Sequence, residues 1–260
     1  MIDFHNHVLP NVDDGPKHFE ESLSMLINAH NQGITDVVQT VHFQHPKMEG
    51  KNTDYDYLQE KIKKLELEIN KHELDIKIHL SAEVFYLPNL SEIADNKFFY
   101  FGNDRFMLIE FSSTIFPMNY EKEIYKIQNI GVNPIIAHPE RYRFVQNDLG
   151  VLDKWLAKDY ILQLDAGSFL GLFGKKTKEI AYKIIDNYGL HLIGSDAHNN
   201  KRRNFCLLDA YNSLEKKYTI ELVNKLKDNA KLLLSGIKPE LIQIKQNNSL
   251  LNVIKTKLGL

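Results

Sequence analysis

The chain opens with two histidines two residues apart, His5 and His7, in a stretch (Ile2-Asp-Phe-His-Asn-His7) that reads as a short strand. Residues i and i+2 of a strand share a face, so both imidazoles can grip one cation. A pair at this spacing means little alone. It gains weight if other strand ends deliver matching donors, and here they do. His42 ends the β-branched run 36–42, and Glu83 closes the apolar run 76–84. Glu110 lies inside 106–111 (FMLIEF), His138 ends 133–138, and Asp196 and His198 directly follow 191–195. Asp14 comes from the loop after the first strand, just before Gly15, which permits a tight turn. These nine donors are too many for one ion and enough for two or three, with carboxylates bridging. Imidazole with carboxylate suits Mn²⁺, Fe or Zn²⁺ and argues against a soft thiolate site. Glu110 is the most informative, because a carboxylate among Phe, Met, Leu and Ile costs several kcal/mol to bury unless a cation compensates it. Ions spaced about 3.5–4 Å apart form a phosphoryl-transfer device: they acidify a bridging water and clamp phosphate oxygens.

Neighbouring residues suggest supporting roles. Asp13 caps a helix or supports a ligand, with Asp14 preferred as the ligand itself. Asp165, on the sixth strand, points into the mouth or serves a turn or cap. His45, in His42-Phe-Gln-His45-Pro46, is a candidate active-site residue. His18, His30, His72, His79 and His191 read as ordinary surface or core histidines. Two arginine pairs directly follow ligand motifs, Arg141 with Arg143 and Arg202 with Arg203. They suggest an anion-binding rim, since guanidinium grips phosphate bidentately.

These side chains need a scaffold. Apolar residues at helical spacing predict helices over about 18–32, 54–71, 120–130, 148–158, 175–188, 203–216 and 219–234. They alternate with seven buried apolar runs that read as strands of a parallel sheet covered by helices. The connection 85–104 suggests a short hairpin pairing residues 85–87 with 99–101. With no Gly/Ser/Pro-rich linker and no internal repeat, the chain reads as one α/β domain over 1–238, followed by a helical tail over 239–260. Closed barrel and open sheet both fit the alternation. The barrel is favoured because the candidate donors other than Asp14 fall at or near strand C-termini, and in a barrel those ends converge on one mouth.

Composition narrows the function classes. In 260 residues, 43% are hydrophobic and 25% charged, as in an ordinary soluble protein. A formal net charge of −2 gives no sign of a nucleic-acid or acidic-membrane partner. No apolar run approaches the roughly 20 residues needed to span a bilayer, and no membrane insertion is expected. The N-terminus reads as a strand rather than a signal peptide. The single cysteine, Cys206, allows no intrachain disulfide, so a cytoplasmic location is expected. The thiol-phosphatase loop Cys-x5-Arg is absent, since Asn212 stands six residues after Cys206. Gly171-Leu-Phe-Gly174-Lys-Lys-Thr177 mimics a P-loop only weakly. It lacks four residues between its glycines, and Lys176 stands where Ser or Thr should follow the lysine.

Seven segments together resemble the polymerase-and-histidinol-phosphatase (PHP) superfamily: HNH at 5–7, VDDG at 12–15, TVH at 40–42, AE at 82–83, IEF at 109–111, IAHPERY at 136–142 and GSDAHN at 194–199. More closely, they resemble its bacterial capsule-type protein-tyrosine phosphatases, the CpsB/YwqE-like family. The likeness runs in order over about residues 1–215. It implies a distorted (β/α)7 PHP barrel with the metal site at the C-terminal ends of the strands and a trinuclear, commonly manganese-dependent, centre. Carried over motif by motif, one metal takes His5, His7, Glu83 and Asp196; a second takes Glu83, Glu110 and His138; a third takes Asp14, His42 and His198. Arg141 and Arg203 match the family's phosphate-binding arginines. The implied function is a protein phosphatase that hydrolyses phosphotyrosine through a metal-bridging hydroxide. The implied partner is a bacterial tyrosine kinase controlling capsule or exopolysaccharide synthesis, and a homo-oligomer is compatible with the family. Val41 departs from the pattern, standing where Pro often precedes the second-motif histidine, so the adjacent loop is expected to differ.

The alternative within metal enzymes is a small-molecule phosphatase of the histidinol-phosphatase type. The metal donors do not separate the two. Substrate choice lies in the loops at about 43–56 and 85–104; these and the start of the helix after the first contain Phe43, Tyr55, Tyr57, Phe85 and Tyr86, which either stack on a phenyl ring or simply pack. A non-catalytic metal-binding module is disfavoured because all nine donors are present. A nuclease is disfavoured by the missing basic stripe.

Overall fold

The computed structural model describes residues 1–48, 54–101 and 105–244. Strands and helices alternate: β1 (Ile2–Asn6), α1 (Phe19–Asn31), β2 (Asp36–Phe43), α2 (Tyr55–Lys71), β3 (Lys77–Phe85), α3 (Leu90–Ile93), β4 (Tyr100–Phe101), β5 (Arg105–Glu110), α4 (Tyr120–Asn129), β6 (Val132–Ala137), α5 (Arg143–Asn147), α6 (Val151–Ala157), β7 (Ile161–Asp165), α7 (Ala166–Leu170), α8 (Lys175–Asn187), β8 (Leu192–Gly194), α9 (Leu207–Lys217) and α10 (Ile220–Leu234). Seven strands pair in parallel in the order β1-β2-β3-β5-β6-β7-β8. The ring closes where the chain leaving β8 meets β1: His7 N–H donates to the Ala197 carbonyl (2.8 Å) and Asp196 N–H to the His5 carbonyl (2.7 Å). The architecture is the expected distorted (β/α)7 barrel.

Periodicity explains the outer helices. The buried face of α2 is Leu58, Ile62, Leu65 and Ile69, at i, i+4, i+7 and i+11, and Asp54 caps its start by accepting Tyr57 N–H (3.0 Å). α8 buries Ile180, Ala181, Ile184 and Ile185 in the same way. Most of the core lies between these helices and the strands. A second, smaller cluster joins Ile2, Phe4, Val38, Phe106, Leu108, Ile135, Ala137, Ile161 and Leu192 to Ala230 and Leu233 of α10. Val38 shares its strand face with His42 four residues on, and Leu108 shares one with Glu110. This cluster is therefore the apolar floor beneath those donors, with α10 laid against it.

Two expectations need correction. The helix expected over 148–158 starts only at Val151, as α6, because the Asp148 side chain accepts Gly150 N–H (2.9 Å) and turns the chain first; a separate short helix, α5, precedes that turn. The hairpin strand β4 pairs antiparallel with β5, Tyr100 opposite Met107 and Phe101 opposite Phe106, and not with residues 85–87. Phe85 belongs instead to the parallel ladder, opposite Glu110. The short α7 was not foreseen, having too few residues to show a helical period. Of the proposed tail, residues 245–260 lie outside the described residues. Before them, Ile242 pairs antiparallel with Leu190 through two backbone hydrogen bonds (3.1 and 2.9 Å).

His191 is built into this junction. It is 5% exposed, its Nδ1 accepts Leu162 N–H (3.0 Å), and its carbonyl accepts the Asn229 amide (2.8 Å). Burial, with Lys238 nearby, pushes its pKa down to about 4. The unfolded chain, with an ordinary histidine pKa near 6.5, therefore binds more protons than the folded one between those values. Stability falls as pH drops from about 6.5 to about 4. Replacing His191 with Gln should flatten this part of the urea-unfolding stability profile by on the order of 2–3 kcal/mol. An unchanged slope would mean that His191 is not held neutral.

Candidate metal centre

Each donor is positioned by a local device. In β1 the pairing with β2 slips between Asp3 and Asn6, a bulge that re-aims side chains. Asp3 fixes it from inside, its Oδ1 accepting His5 N–H (3.1 Å) and the Asn6 amide (3.3 Å). Thr40 accepts Asn6 N–H (3.2 Å) and donates to the Asn6 carbonyl (3.1 Å). Parallel register sets His42 beside Glu83 and Glu83 beside Leu108, which brings Glu110 to the same rim. His138 and Asp196 both turn sharply at their strand ends with left-handed backbones, φ 32° and 47°. Such conformations are strained for residues carrying a Cβ and concentrate at functional sites.

The result is a crowded mouth. His5 Nε2 lies 3.1 Å from Glu83 Oε2 and 3.3 Å from Asp196 Oδ1, and His7 Nε2 lies 3.3 and 3.4 Å from the same two oxygens. His42 Nε2 and His198 Nε2 flank Asp14 Oδ1 at 3.3 and 3.1 Å. On the far side, His42 Nδ1 is 3.1 Å from Glu83 and 3.7 Å from Glu110, and His138 Nε2 is 3.0 Å from Glu83 and 3.9 Å from Glu110. Among the described residues, three groups of donor atoms are compact enough for an ion: His5, His7, Glu83 and Asp196; His7, Asp14, His42 and His198; and His42, Glu83 and Glu110. The first repeats the set carried over by resemblance. The second adds His7 to the expected Asp14, His42 and His198. The third has His42 where the resemblance put His138.

A test of fit for cations is whether buried polar atoms lack partners. His5 Nε2, His7 Nε2, His42 Nδ1, His138 Nδ1, Glu83 Oε2 and Glu110 Oε2 are all buried without a hydrogen bond. Buried polar groups are rarely left so, and all of these except His138 Nδ1, whose ring turns Nε2 toward Glu83, lie within the donor cluster. Their undirected nitrogens and oxygens are of the chemistry that suits a metal ion. Outer contacts set the histidine tautomers, as at metal sites generally. His7 Nδ1 is 2.8 Å from Asp13 Oδ2, and His198 Nδ1 is 2.8 Å from the Asp196 carbonyl, so each keeps Nε2 for the cluster. Asp13 thus supports a donor while Asp14 faces the mouth. Burial raises Glu83, but His5, His42 and His138 outweigh it and hold the carboxylate well below its usual range. Glu110 goes the other way: burial and the Glu83 charge push it up to about 8.

A cavity of about 490 Å³ opens above the donors, lined among others by His45, Phe85, Ser112, Thr114, Arg141 and Arg203. Arg141 donates to Asp196 Oδ2 and to Asp165 Oδ2 (3.2 Å). Arg203 Nη2 donates to Asp196 Oδ2 (2.5 Å) and to the Asp196 carbonyl (3.3 Å), while its buried Nε has no partner. Asp165 serves both roles foreseen for it, since its other oxygen caps α7 at Gly167 N–H (2.7 Å). Only one arginine of each pair reaches the site; Arg143 and Arg202 are exposed and do not line the cavity. Of the aromatic candidates, Phe85 lines it. Phe43 packs on Phe99 (4.3 Å), Tyr86 is buried, and Tyr55 and Tyr57 stand exposed on α2. The histidines set aside stay outside: His30 accepts Asp75 N–H (3.2 Å), and His79 pairs with Asp36 (2.9 Å). Sequence reading missed Ser112–Thr114, whose only signal is their position after Glu110. It also missed Glu140, buried next to Arg141 and accepting Asp165 N–H (2.9 Å) and Ser168 Oγ–H (2.7 Å).

Fold and site together define a parallel barrel whose mouth gathers imidazoles and carboxylates in groups that could hold a metal ion, beside two arginines. The chain belongs to the capsular polysaccharide synthesis CpsB/CapC family, whose sequence model matches residues 1–235. It is 36% identical to CapC of Staphylococcus aureus over 238 residues, 91% of this chain and 92% of that one. It is 31% identical to the tyrosine-protein phosphatase YwqE of Bacillus subtilis, over 90% of this chain and 91% of YwqE. It also superposes, with a TM-score of 0.85 and 30% identity, on a structure from work on YwqE of Bacillus subtilis and CpsB of Streptococcus pneumoniae, described as unique metal-dependent tyrosine phosphatases. That match covers 95% of this chain and all of the other. Among the described residues no helix is long and apolar enough to cross a membrane.

Gly194 shows how little slack the site has. A Cβ there would stand 1.9 Å from Gln163 Nε2 and 2.6 Å from His5 Cβ. Gly194→Ala should displace His5 and lower metal uptake at least tenfold, read by titration calorimetry with Mn²⁺, an overpacking effect of about 1–3 kcal/mol. Wild-type affinity in that variant would show that His5 is dispensable.

Proposed function

We propose that this protein is a metal-dependent protein-tyrosine phosphatase acting on a tyrosine kinase that controls capsule or exopolysaccharide synthesis. The observation that carries the reading is the meeting of two arginines on Asp196, at the edge of the donor cluster and inside the cavity. Family membership supports the reaction class. The catalytic unit is residues 1–238, and the metal donors are His5, His7, Asp14, His42, Glu83, Glu110, His138, Asp196 and His198. Two or three ions are bound; the mixed imidazole and carboxylate set suits manganese, iron or zinc, and the resemblance to the PHP family favours manganese.

When bound, the ions supply an acidified water as nucleophile and a clamp on phosphoryl oxygens. The chain supplies the rest. Arg141 and Arg203 offer planar donors to the equatorial phosphoryl oxygens, where charge stabilisation counts most in phosphoryl transfer. Asp196 holds both guanidiniums in place, and Asp165 also holds Arg141. Phe85 on the cavity wall offers an apolar surface to a phenyl ring. The leaving phenolate has an ordinary pKa near 10 and departs with little acid assistance.

Arg141→Ala should lower turnover about 10²–10³-fold while metal content by elemental analysis stays near wild type. Full activity would remove the arginine from the reaction. Metal uptake should also depend on pH with a definite sign. With Glu110 protonated below about 8, binding must expel that proton. Affinity should therefore fall as pH drops through this range, with proton release seen by calorimetry in buffers of different ionisation enthalpy. The direct test of the substrate class is a comparison of rates on a phosphotyrosine peptide and on histidinol phosphate, with a chelated control. Preference for the peptide, abolished by chelation, is the expected result. Preference for histidinol phosphate would overturn the tyrosine-phosphatase reading in favour of a small-molecule phosphatase.

A further inference from the structure

The two arginines share a third neighbour that belongs to no metal motif. The Arg141 guanidinium carbon lies 4.4 Å from the centre of the Phe173 ring, and that of Arg203 lies 5.7 Å from it. Both are within the distance at which a cation is drawn to an aromatic face. Phe173 does not line the cavity. It meets the two guanidiniums and sits in Gly171-Leu-Phe-Gly174, the stretch that makes a poor P-loop.

That stretch is built to hold one ring. Gly171 and Gly174 flank it with φ of 85° and 92°, a region that favours glycine. Gly174 N–H donates to the Gly171 carbonyl (3.1 Å), and Leu172 N–H to the Gly167 carbonyl (2.9 Å). Gly167 leaves the ring its space: a Cβ there would come within 3.0 Å of Phe173 Cε2. The same α7 turn begins at Asp165, which also accepts from Arg141. One short segment, 165–174, thus supplies a carboxylate and an aromatic face to the arginines. Two guanidiniums drawn to one carboxylate oxygen repel each other. A ring face that attracts both opposes that repulsion without adding a negative charge that would compete with a phosphoryl group.

We propose that Phe173 is a positioning residue that holds Arg141 and Arg203 together as one two-pronged grip on the phosphoryl group. This rests on the phosphatase reading above. The ring makes no bond to substrate; it acts by keeping two flexible side chains in one geometry. Its loss should weaken phosphoryl binding while leaving the metal donors in place.

The test uses the metal-loaded full chain, with inorganic phosphate as competitive inhibitor of p-nitrophenyl phosphate hydrolysis. Phe173→Leu should weaken phosphate inhibition and lower kcat/KM about tenfold each, with metal content and melting temperature near wild type. Phe173→Tyr, which keeps the ring, should restore both to within about twofold of wild type. Leu172→Ala, an exposed neighbour on the same loop, should change neither. A double-mutant cycle with Arg203→Ala keeps the test valid if Phe173→Leu is less stable. Coupling between the two changes supports the assignment, and strict additivity overturns it. Phe173→Leu indistinguishable from wild type on phosphate overturns it as well. A wild-type protein that hydrolyses no phosphoester would instead take down the phosphatase reading and this inference with it.

Discussion

Everything in this molecule is arranged around one buried carboxylate. Glu83 is 1% exposed, stays ionised among histidines and other carboxylates, and has an oxygen with no hydrogen bond. His5, His7 and His42 all approach that oxygen within 3.3 Å. A water-excluded anion needs positive charge beside it, and protons on His5 and His42, whose pKa values the surrounding carboxylates raise against the opposing effect of burial, are one source of it. Glu110 shows the limit of what the protein can do alone: beside Glu83 it is driven toward the protonated form. Cations are the compensation that lets both carboxylates stay ionised at once.

The barrel is the means of concentrating these donors. Parallel strands end on one side, so a donor at each C-terminus meets the others without any long-range design of loops. The floor beneath them is apolar and closed by α10, which keeps water out from below. Above, the site changes character from imidazole and carboxylate to guanidinium. Asp196 is the hinge between the two layers, with Oδ1 toward His5 and His7 and Oδ2 toward Arg141 and Arg203. A single side chain thereby couples where the ions sit to where a phosphoryl group is gripped.

The barrel and its donors were readable in the sequence because the chemistry fell at strand ends. A carboxylate in FMLIEF, and histidines closing apolar runs, are costly to bury unless a cation takes up their lone pairs. Alternation alone fitted an open sheet as well, and the donors at the strand ends are what favoured a ring. What stayed hidden depends on contacts across the chain. Asp165 could be given two roles but not both, since its second oxygen meets Arg141, 24 residues away. Arg143 and Arg202 resembled their partners, and only the turn after each ligand decides which arginine enters. The Gly-Leu-Phe-Gly loop was weighed as a phosphate cradle and rejected, yet its aromatic residue lies against the arginines. The break between α5 and α6 came from a single Asp side chain bonding two residues on, a local contact that helical periodicity does not register.

The most direct measurement is the anomalous scattering of crystals grown with Mn²⁺, collected above and below the manganese absorption edge. Two or three peaks lying among His5, His7, His42, Glu83, Glu110 and Asp196 are predicted, each within ordinary ligand distance of the atoms left without hydrogen bonds. An empty mouth, in crystals of protein that hydrolyses phosphotyrosine, would contradict the claim that the buried carboxylates are there to hold cations.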